Sequence, residues 1–300
     1  MTPWISPATS QVYGTSGQLT HDRRFPIAKS DGKRTMIPIL GFGTSELNGE
    51  VATRMVKDAI AIGYRHIDTA PIYGNEQEVG EAVRASGVPR NDIFLTTKIW
   101  IDSFYADDLQ RSVEASLERI GTDVLDLVLL HWPNPKVPLD QTIKALNLVK
   151  SRGLTKHIGV SNFTVELISR AVAYSNEPLL ANQVEYHPFL NQRRLLEKVR
   201  AHGITLIAHT PLARGAVFRD PVICAIAELR GRSAGQIALR WLIQQSGVAA
   251  IPRSKSLERA YANFNVFDFE LSGEEMDRIY ALSRPDGRIL NWEGFAPKWD

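Results

Sequence analysis

The sequence contains a single cysteine, Cys224, among its 300 residues. One cysteine excludes a disulfide within the chain and a zinc site built from cysteines, so an inert core thiol is its simplest role. The apolar runs, such as DLVLLHW, are far shorter than the ~20 residues that a membrane span requires. We therefore expect no membrane partner and no metal centre.

An excess of charge of one sign is also missing. The 35 Lys and Arg residues stand against 33 Asp and Glu residues, a formal net charge of +2. This balance favours neither nucleic acid nor a membrane surface as a partner. Residues 1–24 have no apolar core and predict a flexible N-terminal extension without a secretory signal. Residues 25–300 show no linker or low-complexity segment, which predicts a single, cytoplasmic domain.

What the sequence does contain is a regular alternation of strand and helix patterns. Segments with helical periodicity, such as VATRMVKDAIAIG and LQRSVEASLERIG, separate eight short β-rich runs. The runs are PILGFGT, RHIDTA, IFLTTKIW, LDLVLLH, HIGVSNF, ANQVEYH, ITLIAHT and VAAIPRS. Eight such units predict an α/β fold with parallel pairing, the (β/α)8 TIM barrel. A doubly wound Rossmann sheet is the alternative, but GFGTSE places Glu46 where its fingerprint needs a third glycine.

Two further elements flank the eight units. FPIAKSDGKRTMIPIL predicts an N-terminal β-hairpin that turns at Asp31-Gly32 and could cover one end of the barrel. LSGEEMDRIYALS predicts an extra C-terminal helix with Ser272 as its N-cap, followed by an aromatic and charged tail.

Four polar side chains fall where consecutive strands end. Asp68 follows the second run with Tyr73 in the loop beyond it, Lys98 ends the third run, and His131 ends the fourth. Barrel active sites lie at the carboxyl ends of the strands, so these side chains can converge. Each also has an ordinary explanation, a core histidine, a surface lysine or a packed tyrosine, and it is their common rim that favours a site.

The four residues make a coherent proton-donating set. Asp68 and Lys98 can neutralise each other in a poorly hydrated site. The lysine cation is expected to lower the pKa of Tyr73 from its reference of about 10, which suits a general acid in carbonyl reduction. His131 can donate a hydrogen bond to the carbonyl oxygen. The predicted substrate-side residues at this point are Trp100 and Trp132, which would exclude water.

These segments resemble the aldo-keto reductases. GYRHIDTAPIYGNE, TTKIW, LLHWP, IGVSNF, NQVEYHP and IPRS occur in the family's order between about Met36 and Asp300, and the loops and the ending GFAPKWD are most similar to the bacterial 2,5-diketo-D-gluconate reductases of the B type. The resemblance implies that Tyr73 is the general acid, that Asp68 and Lys98 tune it, and that His131 positions the carbonyl. It also implies a monomer that reduces small polar carbonyl compounds such as 2,5-diketo-D-gluconate and methylglyoxal.

The resemblance further implies a nicotinamide dinucleotide, NADPH/NADP+, extended across the rim. Amide and hydroxyl groups at strand ends suit its carboxamide, and cationic groups beside a helix start suit a phosphate. Strand-end capping and a solvated basic turn are the ordinary explanations. The implied cofactor-binding residues are Gly43, Thr44, Ser161, Asn162, Gln183, His209, Thr210, Leu212, Arg253, Ser254, Arg259 and Asn263.

The sequence departs from the family pattern in three places. His209 replaces a tyrosine that stacks on the nicotinamide, with less area and a titratable ring, and Ser45 replaces an aromatic residue over the substrate, which predicts a wider and more polar pocket. PLARGAVFRD is short for a cofactor-clamping loop, which predicts weak cofactor retention. Two other functions stay open: a regulatory barrel subunit that binds the cofactor without turnover, and a Schiff-base lyase, for which a protonated Lys98 would be a poor nucleophile.

Overall fold

A computed structural model describes residues 27–30 and 33–300, with side chains from residue 37 onwards. An antiparallel hairpin opens the described chain, formed by β1 (Ile27–Ser30) and β2 (Lys33–Pro38). The hairpin is thus confirmed, whereas its predicted turn at Asp31-Gly32 and the predicted extension over residues 1–24 lie outside the described residues.

Eight parallel strands follow and pair in sequence order. They are β3 (Phe42–Gly43), β4 (His66–Asp68), β5 (Phe94–Ile99), β6 (Leu125–Leu130), β7 (Thr155–Ser161), β8 (Leu179–Glu185), β9 (Thr205–His209) and β10 (Val248–Ala250). The first and last strands meet through a parallel bridge between Leu40 and Ala250, and the Gly41 amide donates to the Ala250 carbonyl at 2.8 Å. This closure makes the sheet the predicted (β/α)8 barrel.

The helices surround the sheet. They are α1 (Gly49–Ile62), α2 (Glu76–Ala85), α3 (Ala106–Ile120), α4 (Leu139–Ser151), α5 (Val165–Tyr174), α6 (Arg193–Ala201), α7 (Pro221–Arg230), α8 (Ala234–Ile243), α9 (Leu257–Phe264) and α10 (Gly273–Tyr280). The predicted C-terminal helix is α10, and Ser272 caps it in a reciprocal capping box with Glu275. No helix among the residues seen in the structure is long and apolar enough to cross a bilayer.

The strand β6 shows why the predicted runs are almost continuously apolar. Leu127 and Leu129 point into the barrel, where they pack with residues such as Ile37 and Ile207. Leu125, Val128 and Leu130 belong to the larger cluster beneath the helices. Because both faces of a parallel barrel strand are buried, both sets must be hydrophobic. The polar residues that interrupt this pattern at the strand ends therefore need another explanation.

Candidate active site

Asp68, Tyr73, Lys98 and His131 come together at the C-terminal rim, as predicted. The Lys98 ammonium donates to Asp68 Oδ1 at 2.5 Å, to the Thr69 carbonyl at 3.0 Å and to the Tyr73 hydroxyl at 3.3 Å. The His131 ring stands edge-on to the Tyr73 ring, with centroids 5.7 Å apart. A phenol, an ammonium, a carboxylate and an imidazole thus form one contiguous group, in which the Tyr73 hydroxyl accepts a hydrogen bond from the Lys98 ammonium.

The protonation states of this group follow from burial and charge. Burial alone would lower the pKa of Lys98, but Asp68 and Tyr73 outweigh it and the pKa is raised. Burial raises the pKa of Tyr73, and the opposing effect of Lys98 does not overcome it. The prediction of a net lowered Tyr73 pKa is therefore wrong for this state of the site, although the sign of the Lys98 effect is right. Both groups are protonated at neutral pH.

Both rim histidines are neutral at that pH. Burial, reinforced by Lys98 and His209, holds the pKa of His131 well below 6.5. Burial also lowers the pKa of His209 to about 4, despite the opposing charge of Glu185. A neutral imidazole at His131 can donate one hydrogen bond to a carbonyl oxygen. A neutral, flat ring at His209 removes the concern that this replacement for tyrosine introduces a charge.

Two of the three predicted carboxamide-binding residues are hydrogen-bonded directly to two of the four central residues. Gln183 donates through Nε2 to Asp68 Oδ2 at 2.6 Å, and Asn162 donates through Nδ2 to the His131 carbonyl at 2.9 Å. The Ser161 hydroxyl donates to the Gln183 carbonyl at 2.7 Å, and His209 Nε2 lies 3.2 Å from Asn162 Oδ1. One hydrogen-bonded network therefore joins the ends of β4, β7, β8 and β9.

The loop after β3 is held rigidly against this network. The Gly43 amide donates to the Pro252 carbonyl at 3.1 Å, and the buried Thr44 donates through its hydroxyl to the Asp68 carbonyl at 3.0 Å. Ser45 lies half-buried in the turn that follows. Thr44 thus supports the backbone of Asp68, and Gly43 ties the end of β3 to the loop after β10.

Backbone strain is concentrated at the same rim. In the described part of the chain, the non-glycine residues with positive φ are Glu46, Asn162, Thr210, Ala213 and Arg214. All of them lie in loops after β3, β7 or β9. Such conformations cost of order 1–3 kcal/mol each and cluster at functional sites. The strain thus marks the side of the rim on which the sequence predicts a dinucleotide, including Thr210 and the segment beyond Leu212.

A separate group of predicted residues surrounds the start of α9. Arg253 and Arg259 are exposed and Ser254 is buried, with its hydroxyl accepting from the Ser256 amide at 3.0 Å. Ser256 caps α9 by accepting from the Arg259 amide. Cations beside a capped helix N-terminus suit a phosphate dianion.

Sequence reasoning missed an aromatic residue next to this group. Phe218 is 48% exposed and its ring lies so close to Gly235 that a Cβ there would approach it to 3.2 Å. The buried Asn263 also lies close to Gly235, with Oδ1 3.7 Å from the same position. An exposed ring over a glycine makes a flat apolar wall. The feature of the sequence that could have indicated Phe218 is its position as the aromatic residue inside the short loop PLARGAVFRD.

Over the other half of the rim, the tail forms a wall of aromatic rings. Trp100 packs edge-on against His131 at 5.2 Å between centroids, and Phe295 bridges Trp100 at 5.7 Å and Trp132 at 5.3 Å. Trp299 packs on Trp132 in turn. Both predicted substrate-side tryptophans are therefore beside the central residues. Phe295 and Trp299 were not predicted, because the tail has no periodicity to interpret.

The tail is tied to the barrel by Glu185 at the end of β8. Its fully buried carboxylate accepts from the Ile289 and Leu290 amides at 2.7 and 2.8 Å and lies 2.8 Å from His187 Nε2. Burial opposes the ionisation of Glu185, but these hydrogen bonds outweigh it and lower its pKa. Gly287 lies so close to the Phe189 carbonyl that a Cβ would come to 1.7 Å from it. The segment that leads into the aromatic wall is thus fixed on the barrel.

Comparison with known proteins now identifies the fold family. Residues 39–284 match the Aldo/keto reductase family. The chain belongs to that family. The predicted resemblance is confirmed, and family membership together with the relatives below makes this protein an oxidoreductase that acts on carbonyl compounds.

Several relatives match over nearly their full length. The chain is 40% identical to methylglyoxal reductase DkgB of Salmonella typhi, over 88% of this chain and 99% of the relative. A crystal structure of a candidate 2,5-diketo-D-gluconic acid reductase B superposes with a TM-score of 0.88 at 44% identity, over 92% and 98% of the two chains. A Bombyx mori aldo-keto reductase in complex with NADP gives a TM-score of 0.79 at 33% identity, over 87% and 93%.

Proposed function

We propose that this aldo-keto reductase uses NADPH to reduce small polar aldehydes and ketones, 2,5-diketo-D-gluconate and methylglyoxal among them, to alcohols. The observation that carries the proposal is the position of the Lys98 ammonium, which touches both Asp68 and the Tyr73 hydroxyl beside His131. The substrate classes follow the names of the relatives, and the half-buried Ser45 and the polar central residues suit compact, hydroxylated molecules.

In this proposal Tyr73 is the general acid. Its pKa is raised, so the phenol carries its proton at neutral pH and can give it to a carbonyl oxygen that gains negative charge. Lys98 stabilises the phenolate left behind, and Asp68 keeps Lys98 charged. His131 donates a hydrogen bond that orients the carbonyl, while Trp100 and Trp132 exclude water. A raised pKa also makes Lys98 a poor nucleophile, which disfavours the Schiff-base alternative.

The donor set fits a dinucleotide phosphate at one end and an amide at the other. Arg253, Ser254 and Arg259 would hold the 2′-phosphate, and Asn263 and Phe218 would border the adenine. Ser161, Asn162 and Gln183 would fix the carboxamide, and His209 would lie against the ring. Gly43, Thr44, Thr210 and Leu212 would line the path between the two ends. When bound, NADPH supplies the hydride that this chain cannot provide.

The first test is NADPH oxidation over a panel of carbonyl substrates, repeated with NADH. Steady consumption with 2-oxoaldehydes or keto-sugar acids supports the proposal. Cofactor binding without turnover on any member would instead indicate the regulatory-subunit alternative.

The second test removes only the acid. Tyr73→Phe is expected to lower kcat by about 10²–10⁴-fold while NADPH binding changes little. Tyr174→Phe, an exposed tyrosine at the end of α5, is the matched control and is expected to behave as the unmodified enzyme. Full turnover in Tyr73→Phe would assign the proton to another group. The cytoplasmic location and the monomeric state of the protein stay predictions. Size-exclusion chromatography can test the monomeric state.

A further inference from the structure

Glu46 forms an ion pair with an arginine of the proposed phosphate site. Its Oε2 lies 2.6 Å from Arg253 Nη2, which joins the loop after β3 to the loop after β10. The two side chains are 61% and 36% exposed. Exposed ion pairs of this kind contribute little to the stability of a fold, so the contact is easily displaced.

The backbone nevertheless holds Glu46 in a costly conformation. Its φ is 60°, in the left-handed region where a glycine or asparagine would be favoured. The buried Asn75 fixes the turn by donating to the Thr44 and Leu47 carbonyls at 2.8 and 2.7 Å. The carboxylate is therefore presented at the rim by a rigid turn. A strained residue kept at a predicted binding site points to a role there.

We propose that Glu46 limits the preference for NADPH over NADH by competing with the 2′-phosphate for Arg253. This inference rests on the proposed function, because it takes Arg253 as a phosphate ligand. A phosphate that reaches Arg253 must displace the carboxylate and stay beside a like charge. The ribose of NADH carries a 2′-hydroxyl instead. That hydroxyl can donate a hydrogen bond to a carboxylate, as it does to acidic residues in other dinucleotide sites.

Glu46→Gln tests the charge while keeping the length of the side chain. Because like charges a few ångströms apart repel even near a solvated surface, the variant is expected to bind NADPH about 3- to 10-fold more tightly, with no tighter binding of NADH. The gain should shrink in about 0.5 M salt, where surface charges are screened. Glu50→Gln is the matched control, because it removes an exposed carboxylate from the first turn of α1; it is expected to change neither affinity.

Dissociation constants are measured by titrating protein fluorescence with NADPH and NADH for both variants, for Arg253→Ala, and for Glu46→Gln combined with Arg253→Ala. The inference predicts that the gain disappears in the combined variant. Unchanged or weaker NADPH binding in Glu46→Gln would overturn it, the latter by making Glu46 a residue that orients Arg253.

The proposed phosphate site can be refuted independently of the role of Glu46. It would be refuted if Arg253→Ala together with Arg259→Ala left the ratio of NADPH to NADH affinity unchanged, whatever Glu46→Gln does. A lost preference in that double variant, with no effect of Glu46→Gln, would keep the phosphate site and reject the role of Glu46.

Discussion

Replacement of Asp68 by asparagine would expose how much of the site depends on one buried charge pair. Asp68 and Lys98 are 2% and 1% exposed and lie 2.5 Å apart. Breaking a buried pair by removing one partner costs about 3–5 kcal/mol, because the other charge is left without compensation. Gln183 and Tyr73 remain as polar neighbours, so we expect Asp68→Asn to lower the free energy of unfolding by about 3 kcal/mol at pH 7.

The companion variant Asp68→Asn with Lys98→Met removes both charges. A buried pair replaced by uncharged groups of similar size is often neutral or stabilising, so this variant should be more stable than Asp68→Asn alone by about 2 kcal/mol. Both variants should lack activity, so the difference between them is purely one of stability. Urea unfolding followed by circular dichroism measures it.

The pH dependence supplies a further sign. Without Asp68, burial is expected to lower the pKa of Lys98 in the folded state below its unfolded value of about 10.4. Between the two pKa values of Lys98, the folded state then binds fewer protons than the unfolded state. The loss in free energy of unfolding caused by Asp68→Asn should therefore be greatest below the pKa of Lys98 in the folded variant and should shrink as the pH rises towards 10. An Asp68→Asn variant as stable as the unmodified enzyme, or a double variant less stable than the single one, would refute this account.

Four other predictions follow from the same rim. Since His131 and His209 are neutral, kcat/KM should be flat between about pH 6 and 8 and fall only above about pH 10 as Tyr73 loses its proton; a step near 6.5 would contradict this. Phe218→Ala should raise the Kd of NADPH and NADH alike, by about tenfold for a lost base stack, whereas Leu229→Ala should not. Gly287→Ala should displace the tail and raise the KM for carbonyl substrates several-fold, which corresponds to about 1 kcal/mol of lost substrate binding, while NADPH affinity stays the same. An unchanged KM would mean that the tail does not contact substrate. The short loop after β9 predicts rapid cofactor release, and stopped-flow traces with a slow, rate-limiting isomerisation would count against it.

The barrel could be predicted because its signals are local. Each of the eight β-rich runs has a polar residue at or near its carboxyl end, and a strand that is buried on both faces leaves a nearly continuous apolar pattern. The meeting of Asp68, Lys98 and His131 then follows from topology, because parallel strands end at one rim. The turn containing Tyr73 needed only a short step beyond β4.

The features that could not be predicted depend on how deeply a side chain is buried and on contacts between residues far apart in the sequence. The sequence shows that a cation lies near Tyr73, but not that burial outweighs it, so the net pKa shift was predicted with the wrong sign. The contact of Glu46 with Arg253 joins residues 207 positions apart, and neither has a periodic pattern around it. Phe295 and Trp299 lie in a tail that is held by long-range contacts, among them the hydrogen bonds from the Ile289 and Leu290 amides to the Glu185 carboxylate.

The way the tail is attached separates two tasks in this enzyme. In the proposed mechanism, proton transfer depends on strand ends that the whole barrel keeps in place, whereas the proposed substrate side is shaped by a tail that is anchored in part by two backbone amides on Glu185. Changes near Phe295 can therefore accumulate with little penalty to folding. Substitutions in the tail can therefore alter the proposed substrate side while the proposed acid and its lysine stay unchanged.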